Sequence, residues 1–199
     1  MQKPRIAPYF QDEEFLAEEY LVTIQPNFST GEALRLVSTE HGPFDRRTSL
    51  TVPLWMAVEL EQHGKCSITP PGWLRADVLK GKIKEEREKG PSMFASVDQV
   101  MFEVGTILLN RDYLGVDYLG GPIERANISS LLTEILLIRK AKAIEGLKQI
   151  DITSSVIDIS RMVSIERACI RPQASRLIDE LRELWTIRQS VLGAEPRGM

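Results

Sequence analysis

In the first part of the chain, apolar residues form short runs separated by turn-forming residues. After a helix that is expected to begin at Asp12, such runs lie at 21–24, 34–37, 49–52 and 66–69. They are rich in β-branched and aliphatic side chains, and Pro, Gly or Asn stands between most of them, which is typical of strands joined by turns. The pattern predicts a small β-rich unit with a short N-terminal helix.

From Trp73 onward, apolar residues recur every three or four positions, which indicates amphipathic helices. Helices are predicted over about 73–89, 92–110, 123–147 and 173–192. The last of them has one apolar face, which we predict to lie in the core of the helical part. The residues of that face are Leu177, Ile178, Leu181, Leu184 and Trp185.

The two patterns together predict an α+β fold made of two domains. Residues 1–68 are expected to form a small N-terminal β-rich domain, and residues 69–199 a larger all-helical bundle domain. A chain of 199 residues is long enough for one sizeable core or two small ones. Its apolar fraction of 43% and charged fraction of 27% are ordinary for a soluble globular protein.

The segment 52–73 joins the two predicted domains and carries signals that begin, end and redirect a short helix. Val52-Pro53 favours a helix start, Gly64 favours a helix end, and Pro70-Pro71-Gly72 opposes both helix and strand. The apolar side chains of this helix surround most of its circumference, so it is expected to be covered on more than one side. We therefore predict a packed domain junction, with candidate residues Pro53, Leu54, Trp55, Pro70, Pro71 and Trp73.

The long helix predicted over 123–147 has apolar residues on two faces. One wide arc accounts for the core of its own domain and consists of Ile128, Leu131, Leu132, Ile135, Leu136 and Ile138. Leu137 and Ile144, with Ala141 between them, fall in the opposite, polar arc. They are either scattered exposed apolar residues or a second seam that contacts another polypeptide, as in coiled-coil-like pairing. We favour the seam and take Leu137, Ala141 and Ile144 as candidate subunit-interface residues.

Charge and cysteine content narrow the class of protein. A net charge of -3 gives no support to a protein that neutralises many phosphates. Cys66 and Cys169 belong to no CxxC pair, which favours a reducing compartment over a disulfide framework. The N-terminus has no apolar signal region, and the most apolar segment, 128–138, is too short to span a bilayer. We expect a soluble intracellular protein.

Candidate catalytic or metal-binding motifs are hard to find. The histidines, His41 and His63, stand alone, and no metal-ligand spacing, nucleophile motif or glycine-rich phosphate loop occurs in the sequence. The charged run 80–89 mixes both signs and is predicted to be a solvated helix face. We therefore expect a protein that is not an enzyme and needs no cofactor or metal.

Several sequence blocks, taken in order and spacing, resemble the PSF-two family, a subunit of the GINS complex of eukaryotic DNA replication. The blocks are EFLAE at 14–18, LVTI at 21–24, PNFS at 26–29, GPF at 42–44, VPLW at 52–55 with Ala57, and KC at 65–66 followed by PP at 70–71 and Trp73. LLN at 108–110, the segment 139–142 and Ile165-Glu166 resemble it more loosely. The segments 111–121 and 149–163 diverge from the family pattern.

The resemblance implies a non-catalytic structural subunit of a heterotetramer, with a B-type small domain and an A-type helical domain. Its expected partners are three other GINS subunits, and, within the CMG replicative helicase, the minichromosome-maintenance (MCM) ring and a Cdc-type initiation factor. The implied location is the nucleus, and DNA would be contacted only indirectly.

An alternative function is direct binding of single-stranded DNA by the small domain. It requires Trp55 or Phe28 to be exposed beside Arg46 and Arg47, so that bases stack on the ring while the arginines neutralise phosphates.

Overall fold

A computed structural model of the chain describes residues 11–36, 39–90, 93–109, 121–148 and 161–192. The side chains of 11–14 and 191–192 lie outside this description, as do the divergent segments 111–121 and 149–163 apart from Gly121 and residues 161–163. The prediction of divergence for those two segments therefore falls mostly outside the described residues.

The N-terminal part contains a three-stranded antiparallel sheet in the order β4-β1-β5. Its elements are α1 (Gln11–Glu18), β1 (Leu21–Pro26), β2 (Leu34–Arg35), β3 (Glu40–His41), β4 (Leu50–Pro53), α2 (Leu54–Gln62) and β5 (Cys66–Thr69). In the central strand, Val22 lies opposite Val52 and Ile24 lies opposite Ile68. All four side chains are buried, because alternate residues of a strand point to the same face.

The remaining described residues form four helices, which confirms the α+β fold class. They are α3 (Ala76–Glu88), α4 (Met101–Leu109), α5 (Pro122–Lys148) and α6 (Ser164–Leu192). Helix α4 begins later than predicted, because the backbone of Ala95 is bonded to side chains of α3 and α5 instead of to a helical turn. Helix α6 begins earlier than predicted, because it continues through Pro172.

One cluster of buried apolar residues extends from the sheet into the helices. It includes Ile24 and Ile68 of the sheet together with Leu79 of α3, Leu108 of α4 and Ile135 of α5. The sheet and the helices thus share a core. The division of the chain into domains at 1–68 and 69–199 stays a prediction.

The segment between the sheet and α3 is partly buried, and its role as a domain junction stays a prediction. Pro53 and Leu54 are buried, Pro70 and Pro71 are half-buried, and the indole N–H of half-buried Trp73 donates to the Tyr20 hydroxyl at 3.1 Å; these residues anchor the chain on both sides of α2. Gly64 has φ of 61°, a left-handed conformation that suits the residue after a helix end. Trp55 differs from the expectation that α2 is covered on more than one side, since 37% of its surface is exposed.

The predicted core face of the last helix is wrong. Ile178, Leu184 and Trp185 are 43%, 50% and 53% exposed, and Leu177 and Leu181 are only half-buried. The periodicity correctly predicts an amphipathic helix, but the apolar face lies outside the core of this chain.

Gly105 provides a test of the packing between α4 and α5. A Cβ atom at this position would come within 2.7 Å of Leu132 Cδ1, whereas Gly81 of α3 has open space around it. Replacing either helical glycine by alanine improves helix propensity by about 1 kcal/mol. Overpacking at a buried site opposes that gain by about 1–3 kcal/mol.

We expect Gly81→Ala to raise the free energy of unfolding and Gly105→Ala to fall at least about 1 kcal/mol below it. Chemical denaturation of the two variants and the parent measures this difference. Equal stabilisation by both substitutions would contradict the close approach of α4 to α5.

Candidate subunit interface and its buried anchor

The second half of helix α6 is an exposed apolar surface. We call residues 173–190 the distal segment; none of its side chains is buried, whereas Val163, Glu166 and Ile170 near the helix start are. The distal segment therefore extends beyond the core of the chain.

Apolar residues of the distal segment follow the spacing of a helix–helix interface. Ala174, Leu177, Leu181 and Leu184 alternate steps of three and four residues, as the a and d positions of a coiled coil do. Ile178 and Trp185 flank this stripe at one side. Leu184, Ile178 and Trp185 are exposed, whereas the other residues of the stripe are half-buried. Apolar surface left open in this order is typical of a protein–protein contact site.

Helix α5 carries the three candidate residues that the sequence analysis assigned to a second seam. Leu137 is 61% exposed, Ile144 is 45% exposed, and Ala141 is also exposed. The apolar arc of the same helix is buried at Ile128 and Ile135. The two faces are thus separated as predicted, while the role of Leu137, Ala141 and Ile144 in a subunit interface stays a prediction.

A buried ionic network lies where α3, α5 and α6 meet, and it was not predicted from the sequence. Arg139 of α5 is completely buried. Its Nε donates to Glu166 Oε1 at 2.5 Å and its Nη2 to Glu166 Oε2 at 3.0 Å, a two-pronged contact with α6. Its Nη1 donates to Glu86 Oε2 of α3 at 3.1 Å. The guanidinium also lies 5.0 Å from the centre of the Phe94 ring.

Backbone groups and a second cation complete the network. Arg139 donates its remaining hydrogens to the carbonyl oxygens of Ala95 and Arg161, both at 2.9 Å, so every N–H of the guanidinium has an acceptor. Lys142 donates to Glu86 Oε1 at 3.0 Å. Two cations thus face two carboxylates, which leaves the cluster without a net charge and suits its burial.

Glu86 corrects the prediction of a solvated face for residues 80–89. The other charged residues of this run are exposed or half-buried, but Glu86 is 1% exposed and accepts from Arg139, Lys142 and the Ala95 N–H. Nearby Glu85 is bonded by Lys89 and Lys82, which lowers its pKa from 4.5 to about 2. The run is therefore partly structural.

The side chains considered for chemistry have ordinary local partners. His41 Nε2 lies 3.0 Å from the Thr39 hydroxyl, and His63 Nε2 lies 3.0 Å from Glu59. Burial raises the pKa of the Cys66 thiol to about 12, with the nearby Glu61 charge adding to the effect. Among the described residues, no group of three or more His, Cys, Asp or Glu side chains is arranged to hold a metal ion. None of the described helices is long and apolar enough to cross a membrane.

Of the two aromatic residues considered for binding single-stranded DNA, Trp55 lies away from Arg46 and Arg47, whereas half-buried Phe28 lies near Arg46. Trp55 follows β4 at the end of the sheet where Leu21 pairs with Pro53. Arg46 lies at the opposite end of β1, where its carbonyl accepts from the Gln25 side chain at 2.5 Å. Phe28 is half-buried against Phe44, with ring centres 5.1 Å apart. An aromatic platform beside Arg46 and Arg47 is therefore limited to the uncovered part of Phe28.

Comparison with known proteins connects this architecture to one family. Residues 10–69 match the family model described as PSF2 N-terminal domain. Over 170 residues the chain is 31% identical to the DNA replication complex GINS protein PSF2 of Debaryomyces hansenii, covering 85% of this chain and 78% of that protein. The protein of the same name from Candida albicans is 31% identical over 176 residues, covering 88% and 82%. The human protein of that name is 37% identical over 97 residues, which is 49% of this chain and 51% of the relative.

These matches confirm the family resemblance noted in the sequence. The relatives are named as components of a DNA replication complex and not as enzymes, in agreement with the prediction of a non-enzymatic protein. The identity to the two yeast proteins extends well beyond the N-terminal domain into the helical part. The chain belongs to the PSF2 family of DNA replication complex GINS proteins.

Proposed function

We propose that this chain is a non-catalytic structural subunit of the GINS heterotetramer that scaffolds the CMG replicative helicase during initiation and elongation of DNA replication. Its partners are three other GINS subunits, the MCM ring and the Cdc-type initiation factor, and it acts in the nucleus. The names of the relatives support membership of a replication complex. The observation that carries the assembly role is the exposed apolar distal segment of α6.

Without a partner, the distal segment would be only marginally stable as a helix in water. Helices are marginal in isolation and are stabilised mainly by packing of their apolar face. Burial of Ile178, Leu184 and Trp185 contributes roughly 25 cal/mol for each Å² of apolar surface removed from water. A helix from a sister subunit that carries the complementary stripe supplies that burial, as in obligate interfaces that resemble a divided core.

Scaffolding requires a fixed relation between the sheet and the helices. The Trp73–Tyr20 hydrogen bond and the shared core connect the two parts on this chain. In the proposed assembly the helical part packs with its sister subunits, while the small domain presents its own surface to the MCM ring. Phe15 and Leu16 of α1 and Leu21 of β1 are exposed and supply apolar surface on the small domain. ATP hydrolysis and strand separation belong to the ring.

Leu184→Asp tests the distal segment. We expect it to weaken association with the three sister subunits by about 2 kcal/mol or more, roughly thirtyfold, because a carboxylate would be desolvated at the interface. Affinity is measured with the purified subunits by surface plasmon resonance.

Thr186→Asp is the matched control. Thr186 is exposed on the polar side of the same helix, and its replacement introduces the same charge. We expect less than a threefold effect from the control. Equal, small effects of the two substitutions would contradict the proposed role of the distal segment.

Leu137→Asp tests the seam on α5 in the same assay. If Leu137, Ala141 and Ile144 form a subunit interface, the substitution weakens association by about 2 kcal/mol or more. Its control is Ser129→Asp on the same helix, where an exposed serine is replaced. Unchanged affinity of Leu137→Asp would remove the seam from the interface and leave the distal segment as the main contact.

A further inference from the structure

We propose that the network of Arg139, Glu86, Glu166 and Lys142 is a positioning device that sets the direction in which the distal segment of α6 leaves the helical part. The inference rests on the proposed function, because direction is important only if the distal segment meets a partner. It assigns to four residues a role in assembly although none of them belongs to the contact surface.

The network fixes both the first turn of α6 and the residues that directly precede the helix. Arg139 contacts Glu166 in the first turn of α6 and, through Nη2, the carbonyl of Arg161 just before the helix. The carboxylate of Glu166 also accepts from the N–H of Val163 at 3.0 Å. One guanidinium therefore fixes both the helix and the segment leading into it.

The length of the distal segment magnifies any error at this anchor. At about 1.5 Å per residue, the part of α6 from 173 to 192 is about 30 Å long. The anchor at Glu166 lies about 39 Å from the far end of α6, so a rotation of about 10° there would move that end sideways by about 7 Å. Packed helices lie about 8–10 Å apart, so a sideways shift of that size would remove the last apolar residues from contact with a partner helix.

The ionic groups at the anchor can fix the orientation of α6, whereas apolar packing alone does not fix an angle between helices. Hydrophobic burial is non-directional, and a buried ion pair is weak evidence for stability. A guanidinium that meets a carboxylate with two parallel N–H···O bonds has a defined plane and angle. The nearby apolar cluster of Phe94, Ala143, Met162 and Ile170 is small, so directional control falls to the network.

The helix remains continuous beyond the anchor despite Pro172. Proline removes one backbone donor from the helical ladder. Helix α6 nevertheless runs without a break from Ser164 to Leu192. The orientation of its first turns is therefore passed to the distal segment.

Glu166→Gln and Arg139→Lys test the proposal while preserving much of the packing. Glu166→Gln keeps the shape of the side chain, and Arg139→Lys keeps the positive charge but removes the two-pronged contact. The control is Leu108→Ala, which perturbs a fully buried residue of α4 that is not part of the network. Affinity for the three sister subunits is compared at a temperature at which circular dichroism shows every variant to be folded.

We expect Glu166→Gln and Arg139→Lys to weaken association at least tenfold, and Leu108→Ala less than threefold even when it lowers the melting temperature as much. Equal effects at matched stability would reduce the network to a structural element and overturn the proposal. If Glu166→Gln does not fold, Arg139→Lys carries the same comparison.

A distance measurement on the isolated chain separates this inference from the proposed function. Spin labels are placed at Ser129→Cys on α5 and Gln189→Cys on the distal segment, in a Cys169→Ser background; buried Cys66 is retained. We expect a narrow distance distribution that broadens or shifts in Glu166→Gln and not in Leu108→Ala. An unchanged distribution overturns the positioning role whatever Leu184→Asp does to assembly, whereas a broadened one with normal assembly of Leu184→Asp contradicts only the proposed function.

Discussion

The guanidinium of Arg139 joins three helices at a place where charged residues interrupt their apolar stripes. It bonds to Glu166 of α6 and Glu86 of α3, and the backbone at Ala95 and Arg161 takes its remaining hydrogens. Removing either carboxylate would leave an uncompensated buried charge, which is among the most destabilising changes available to a protein. The arrangement of the helical part therefore depends on all members of the network being present.

The molecule has a buried apolar core and, beyond it, an apolar surface that is not buried. The core encloses the sheet, α3, α4 and one face of α5, and it ends near the first turns of α6. Beyond Arg171 the same chain presents an ordered apolar stripe in which no side chain is buried. A protein built in this way is completed by another polypeptide, which agrees with a family whose members are named as parts of a complex.

Much of the fold could be predicted from local signals, because those signals act within a few residues. The turn residues around 21–24 and 66–69 delimit strands, Gly64 follows the end of α2, and the two faces of α5 separate Leu137 from Ile135. What covers an apolar helix face cannot be predicted from such local signals. Periodicity shows that α6 is amphipathic, but it does not show whether the face is covered by this chain or by another.

The buried network does have a signature in the sequence, namely charged residues at core positions of their helices. Arg139 follows Ile135 by four residues, Glu86 follows Ile83 by three, and Glu166 precedes Ile170 by four, so each charge occupies a core position of its helix. Charges of opposite sign at core positions on separate helices predict a buried ion pair, because neither is stable there alone. Which helices meet could not be predicted, because that depends on tertiary packing.

Whether the distal segment is completed by another polypeptide is measured by hydrogen exchange with mass spectrometry, for the isolated chain and for the chain assembled with its sister subunits. We expect only weak protection of the amides at 174–190 in isolation, because a helix without packing opens often even when it is mostly formed. In the assembly we expect strong protection of the same amides, with the amides near Glu166 protected in both states. Equal protection of the distal segment in the two states would contradict this expectation, since the apolar stripe would then be satisfied without a partner.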